Sequence, residues 1–293
     1  MKPPPADRAG LLARCTFPAA GSRLTCAVSG GADSLALLVL AADTGCEVTA
    51  VHVDHGLRVG SADEADVVRD AAAQFGASFR AERVAVDQGP NLEARARAAR
   101  YAVLPDDVAT GHTADDQAET VLLNLLRGSG LDGQAGMRPG PRHPILGLRR
   151  SETHVLCDAA GLTPVVDITN DDTAFRRNAV RHDLLPLLDR IAGRDVAALL
   201  ARQSSLVRDD VDLLADLAAA IDVTDARAVA AAPAALARRA VRRWLRPHLG
   251  GYPPDAAAVE RVLAVARNEA RSCDVSEGVR VTRSAGRLGL QGR

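Results

Sequence analysis

The stretch AVSGGADSLALL, Ala27 to Leu38, decides the fold. An apolar run with strand character meets two glycines, then Asp33 and Ser34, then a run with helical spacing. Gly30 and Gly31 let the backbone approach an anion without an intervening Cβ. A helix opening near Ser34 offers free N–H groups and the positive end of its dipole. A Walker A loop would need a lysine before its Ser/Thr to reach the outer phosphates. Here there is none, and Lys2 is the only lysine of the chain, so the other fixed cations are arginines. The dinucleotide fingerprint G-x-G-x-x-G is also absent from this turn. Asp33 would repel a phosphate unless a cation lay between them. That predicts Mg²⁺, which favours one or two carboxylates plus phosphate oxygens.

Working outward, strand and helix patterns alternate through the first half. Leu24–Ser29 reads as a strand and Ser34–Ala42 as a helix. Glu47–Asp54 is a valine-rich strand, and Ser61–Phe75 is helical up to Gly76. Ser78–Val86 is a third strand, Asn91–Tyr101 a helix, Val108–Gly111 a short strand, and Ala114–Arg127 a helix ending at Gly128. Such alternation predicts βαβ units and a parallel, Rossmann-like α/β sheet. Ligands of such sheets sit at the carboxyl ends of the strands, here Ser29–Ser34, His52–Arg58 and Thr110–Asp116. After Pro186 and Gly193 the pattern changes to long Ala/Leu helices, Asp195–Ile221 and Ala234–Leu249, with VRVTRSAGRLGLQ near the end as a small hairpin. We expect a catalytic domain over 1–190 and a smaller, mainly helical domain with that hairpin over 191–293.

Of the 293 residues, 47% are hydrophobic and 25% charged, as in ordinary globular proteins. Aromatics are only 2%, so Ala, Val and Leu must build the core. No apolar run approaches the roughly 18 residues of a membrane span. The start, MKPPPADRAG, has no signal-peptide core and reads as a short disordered lead. The five cysteines are odd in number and contain no C-x-x-C, which argues against a disulfide framework or a zinc ribbon. A reducing, cytoplasmic setting is expected. Net charge is −1, so the chain carries no global basic excess. The acids of DDQAE share one helix face, since Asp116 and Glu119 are i,i+3 and Asp115 and Glu119 are i,i+4. Clustered carboxylates suit an ammonium group. His52, Asp54, His55 and His112 admit a zinc reading, because two histidines near an acid can bind that metal.

With these residues in view, SGGADS resembles the pyrophosphate loop of the N-type ATP pyrophosphatases (PP-loop enzymes). These split ATP between its α and β phosphates and adenylate an oxygen of the substrate. AVHVDHGLR (50–58), NLEARARAARY (91–101), TGHTADDQAETVLLNLLRGSGL (110–131) and DITNDDTAFRRNAVRHDLLPLL (167–188) closely resemble the tRNA(Ile)-lysidine synthase family. The resemblance covers roughly residues 22–190. It implies ATP-dependent joining of free L-lysine to the wobble cytidine of the tRNA(Ile) with a CAU anticodon, which changes its codon from AUG to AUA. It implies ATP contacts at Ser29, Gly30, Gly31, Ala32, Asp33, Ser34, His52, Arg100 and His112, with Mg²⁺ at Asp33. It implies lysine recognition at Asp116, Glu119, Asn170 and Arg181, where an arginine suits the lysine α-carboxylate. Arg100 would replace the missing loop lysine as a charge stabiliser. Arg97, an i,i+4 partner of Glu93, is the weaker candidate on that helix.

The chain departs from the family at three points. Only AVLPDD separates Tyr101 from the next strand, so a sheet-covering helix is expected to be missing or replaced. His143 stands where arginine is frequent and Gln134 where leucine is, and altered packing is expected at both. Further on, LARRAVRRWLR (236–246) places Leu236, Ala240, Val241, Trp244 and Leu245 on one half of a helix. Arg238, Arg239, Arg242, Arg243 and Arg246 occupy the other half. Such a stripe can follow a phosphate backbone, and tRNA is the expected partner. The chain ends at Arg293, so tRNA recognition is expected to rest on less protein than in relatives with a further domain. A homodimer is left open. The rival readings are a tRNA 2-thiolating enzyme and a nucleotide-binding regulatory module. The first, in its iron–sulfur form, needs paired cysteines, and the second would need neither the acidic cluster nor the arginine stripe.

Overall fold

The structure is a computed structural model that describes residues 7–54, 61–84, 92–165 and 172–292; the side chains of 61–63, 92–94, 96 and 97 lie outside that description. Four strands, β1 Arg23–Ala27, β2 Glu47–Asp54, β3 Ser78–Arg83 and β4 Ala109–Thr110, form a parallel sheet in the order β3-β2-β1-β4. β1 pairs with β2 from Arg23↔Glu47 to Ala27↔Val51, and with β4 through Cys26↔Ala109 and Ala27↔Thr110. The chain moves from β1 to β2 and β3 on one side and returns with β4 on the other. A crevice therefore opens beyond the carboxyl ends of β1 and β4, the switch point where such sheets bind ligands.

One sheet face is covered by the helix Ala32–Ala42, whose residues Leu35 to Ala41 are all buried. A helix apolar all round must be enclosed, and here Val68, Ala71, Ile145, Leu148, Leu156 and Cys157 help to enclose it. Leu156 and Cys157 come from the helix Arg150–Ala159, an element beyond those expected from the sequence. Its first turn mixes charged and β-branched residues, and its apolar face is short. On the other face Tyr101, Leu104 and Val108 pack with Val51 and Val53. The helix Leu92–Val103 and the short segment after it thus cover the place where a missing helix was expected.

From Arg176 to Ala192 the chain is helical, with a π turn at Val180–Leu184 closed by the Leu185 N–H on the Val180 carbonyl. Pro186 follows directly; it has no N–H to donate, and its ring would crowd the carbonyl four residues earlier in a regular helix. The wider turn accommodates it.

By internal contacts the chain forms two compact units, Met1–Ser205 and Leu206–Arg293. The division falls inside the helix Val196–Ala219, later than the expected boundary near 190. The physical reason is local: Ala197 packs with Ala118 and Leu122, and Ser204 Oγ accepts a hydrogen bond from Gln117 Nε2 at 2.9 Å. In the second unit, the helices Ala234–Leu245 and Ala256–Ala266 bury Val241, Leu245, Val262 and Leu263 with Val281 and Leu288 of a small sheet. That sheet has three antiparallel strands, β5 Ser272–Ser276, β6 Val279–Ser284 and β7 Arg287–Gly292. The expected hairpin is β6–β7, and β5 was not foreseen. All five cysteines are free thiols, and burial pushes Cys26 and Cys157 up to about 12. No described helix is long and apolar enough to cross a membrane.

Candidate active site

The glycine turn leaves β1 and enters the helix Ala32–Ala42 with Gly31 as its N-cap. Gly30 has φ +89°, a left-handed conformation that favours glycine, and a Cβ there would lie 3.1 Å from Val165 Cγ2. Ser34 Oγ donates to the Gly31 carbonyl at 2.9 Å and accepts the Ser29 N–H at 3.1 Å, so the two serines close the turn on itself. Gly111, just past β4, is a second glycine that the turn requires. A Cβ there would sit 2.7 Å from the Asp33 carbonyl oxygen and 2.9 Å from the Ser34 nitrogen. Only a bare backbone lets the end of β4 press against the start of the loop helix.

Asp33 meets a cation, but one supplied by the protein. Its carboxylate accepts from Thr153 Oγ1 and from Arg150 Nε, the latter at 3.3 Å. Burial pushes the Asp33 pKa up, partly offset by Thr153 and Arg150 and reinforced by the nearby charge of Asp116. His52 is 2% exposed and donates Nδ1–H to the Val28 carbonyl at 3.0 Å. His112 Nδ1 lies 2.7 Å and His143 Nδ1 2.9 Å from Thr110 Oγ1, which also bonds the Arg142 carbonyl at 3.0 Å. The carbonyl can only accept. All three contacts are therefore satisfied together when the hydroxyl donates to it and both imidazoles donate from Nδ1. His143 is thus absorbed as a partner of His112, with ring centroids 5.0 Å apart. Among the described residues no three His, Cys, Asp or Glu side chains form a group able to hold a metal.

Arg100 is half-buried in the last turn of the helix Leu92–Val103. Asn170 and His55 lie outside the described residues, as does the Arg97 side chain.

Asp116 and Glu119 lie on the first turns of the helix Ala114–Leu126, directly after β4. Asp116 Oδ2 is fixed by the Thr113 N–H at 2.8 Å and by Thr113 Oγ1 at 3.0 Å, which turns Oδ1 toward three arginines. Arg150 Nη2 is 3.1 Å from Oδ1, Arg177 Nη2 2.9 Å and Arg181 Nη2 3.7 Å. Glu119, with 0% of its side chain exposed, accepts from Arg177 Nε at 2.7 Å, from Arg181 Nε at 2.7 Å and from Arg150 Nη1 and Nη2 at 3.3 Å. Burial alone would raise the Asp116 pKa, but Arg150 and Arg177 beside it hold it below the usual carboxylate range. Asp115 is turned the other way, onto Arg149 at 2.8 Å and the Arg150 N–H at 2.8 Å. Burial opposes its ionisation, and these donors more than offset that. A cavity of about 540 Å³ opens beside Glu119, lined also by Asp115, Arg150, Arg181, Asp189 and Arg194.

Of the residues expected from the sequence, Asp116, Glu119 and Arg181 come together here, and Arg149, Arg150 and Arg177, which were not expected, pair with the same group of acids. The paired arginines in GLRRSE and FRRNAV were the available signal. An arginine-rich chain hides such pairs.

In the second unit the helix Ala234–Leu245 buries Ala237, Ala240, Val241 and Leu245. Arg238, Arg242, Arg243 and Arg246 are exposed, and Arg239 is half-buried. The stretch itself has no acid, but the fold supplies one: Arg238 Nε pairs with Glu260 at 2.6 Å. Arg246 Nε donates to the Gly251 carbonyl at 2.9 Å and Arg243 Nη2 to the Ala219 carbonyl at 3.4 Å.

A glycine turn at the switch point of a parallel sheet, without a Walker lysine, defines the class: a PP-loop ATP-utilising domain. Residues 9–188 match the family described as PP-loop domain, and residues 225–288 match that described as TilS substrate binding domain. The chain is 46% identical over 255 residues to a tRNA(Ile)-lysidine synthase of Nocardia farcinica, covering 82% of this chain and 80% of that one. It is 43% identical to that of Mycobacterium tuberculosis, covering 76% and 75%. A U34-tRNA thiolase from Methanococcus maripaludis shares the fold, with TM-score 0.54 at 16% identity over 69% of this chain and 79% of that one. The chain belongs to the tRNA(Ile)-lysidine synthase family.

Proposed function

We propose that this enzyme, an ATP-dependent ligase of tRNA modification, joins free L-lysine to C2 of the wobble cytidine in the CAU anticodon of a minor isoleucine tRNA. The observation that carries this reading is the adjacency of the ATP loop to the acid pair. Asp33 of the loop and the pair Asp116/Glu119 contact the same guanidinium, that of Arg150. An amine held at the acids therefore stands within a side chain's reach of the nucleotide.

Cytosine C2 is a poor electrophile. The cytidine O2 attacks the α-phosphorus of ATP, and the bond to the bridging oxygen breaks with pyrophosphate taking the electron pair. The lysine ε-amine then attacks C2, and O2 departs with AMP. In this reading the backbone of Ser29–Ser34 cradles the pyrophosphate, His52 faces the nucleoside, and His112 and Arg100 face the phosphates. Asp116 and Glu119 hold the amine, while Arg181 and Asn170 hold the α-groups of lysine. The cavity beside Glu119 is polar and large enough for an amino acid. Asp33, paired here with Arg150 and Thr153, would hold Mg²⁺ once bound phosphates draw Arg150 away, since one carboxylate with phosphate oxygens is a donor set that this ion takes. When bound it would neutralise charge on the leaving pyrophosphate. The second unit, with Arg238, Arg239, Arg242, Arg243 and Arg246, grips the tRNA. The protein works in the cytoplasm, where tRNA, ATP and free lysine meet, and a homodimer is a further element tested by sedimentation.

Incubation with ATP, Mg²⁺, lysine and unmodified tRNA should release AMP and pyrophosphate together, dependent on both lysine and tRNA. Lysine-independent turnover, or none, would reject the reading.

A further inference from the structure

The Arg150 guanidinium reaches two sites at once. Its Nε lies 3.3 Å from Asp33 Oδ2 at the start of the loop helix. Its Nη2 lies 3.1 Å from Asp116 Oδ1, and Nη1 and Nη2 lie 3.3 Å from Glu119 Oε1. Its main chain is pinned separately, because the Arg150 N–H donates to Asp115 Oδ2 at 2.8 Å. The backbone is anchored while the long side chain serves three carboxylates from two elements. Arg177 and Arg181 hold Asp116 and Glu119 from a different segment, Arg176–Ala192.

We propose that Arg150 couples nucleotide binding at the loop to amine binding at Asp116 and Glu119. An ammonium settling on the acid pair competes with Arg150 for the same oxygens. A polyphosphate at the loop competes with those carboxylates for Arg150. Each ligand therefore lowers the cost of admitting the other: phosphates draw the guanidinium toward themselves and free acid oxygens, and the amine releases the guanidinium to the phosphates. Arg177 and Arg181 keep the buried acids paired while Arg150 changes partner, which avoids the large penalty of an uncompensated buried charge. The coupling is reciprocal by linkage. It makes ATP and lysine assemble together, so that the adenylated cytidine forms with its nucleophile in place. The inference rests on reading the loop as the ATP site and the acid pair as the amine site.

Calorimetric titration of the full chain with lysine, with and without Mg²⁺ and an ATP analogue uncleavable between the α and β phosphates, tests it. In the wild type the lysine Kd should fall about fivefold or more when the analogue is saturating. The analogue's Kd should fall by the same factor in saturating lysine. In Arg150→Gln the two lysine Kd values should agree within about twofold. Arg150→Lys keeps the charge but not the planar fork, and should recover only part of the coupling. Melting curves report folding of each variant; if Arg150→Gln does not fold, Arg150→Lys decides alone. Wild-type coupling in either folded variant, or equal lysine affinities in the wild type, would overturn the proposal. Lysine binding under neither condition would instead overturn the amine-site reading on which it rests.

Discussion

In the first unit Arg150, Arg177 and Arg181 are folded over two acids, with side chains 23%, 32% and 22% exposed. In the second unit Arg238, Arg242, Arg243 and Arg246 stand in solvent along and just beyond one helix. The residue type is the same and the physics differs. A guanidinium in the first set is desolvated, and so is its partner, so removing either member strands a buried charge at a cost of about 3–5 kcal/mol. A guanidinium in the second set trades one solvated partner for another. Its contribution is long-range, additive and screened by salt. The first set defines geometry and the second supplies a field.

The contrast is broken most severely at Glu119. Glu119→Gln leaves three guanidiniums around a neutral amide, and chemical denaturation should show a loss of about 3–5 kcal/mol. If the variant folds, its lysine KM should rise at least about 30-fold, as expected when a buried charged partner is lost. A change within twofold in both would mean that the cluster is not the amine site.

Acid probes the same set without mutation. Asp115 and Asp116 are held below their ordinary range despite burial. Their stabilisation is complete above the unfolded carboxylate value of about 3.9 and is lost as pH falls through the lowered folded values. The melting midpoint should drop, with net proton uptake on unfolding, as pH is taken from 5 toward about 3. Asp33 opposes the trend, since its raised pKa favours its protonated form in the folded state.

Arg242→Ala with Arg243→Ala tests the second set. Stability should change by no more than about 0.5 kcal/mol. The tRNA KM should rise, and the slope of log affinity against log salt should lessen by about 1 for each phosphate no longer neutralised. An unchanged salt slope would remove this helix from the tRNA face. The smallest effect is expected at Glu260→Gln, which releases Arg238 from its exposed pair. Stability should fall by less than about 1 kcal/mol, while tRNA affinity at low salt should rise slightly.

Chain order alone specifies the alternation of strands and helices, the glycine turn, the missing Walker lysine and the acid face at Asp116 and Glu119. Each of these is written in local order, as a period, a spacing or a residue type that chain neighbours can express. It did not reveal that Asp33 already has a cation in Arg150, that Gly111 must be bare because Asp33 and Ser34 press on it, or that Arg177 joins Arg181 on the acids. Nor did it show that Glu260 answers Arg238, or that Val196–Ala219 begins in the first unit. These interactions link residues far apart in the chain, as Asp33 and Thr153 are. Which arginine pairs with which acid depends on close packing of elements whose order in space only the tertiary fold decides.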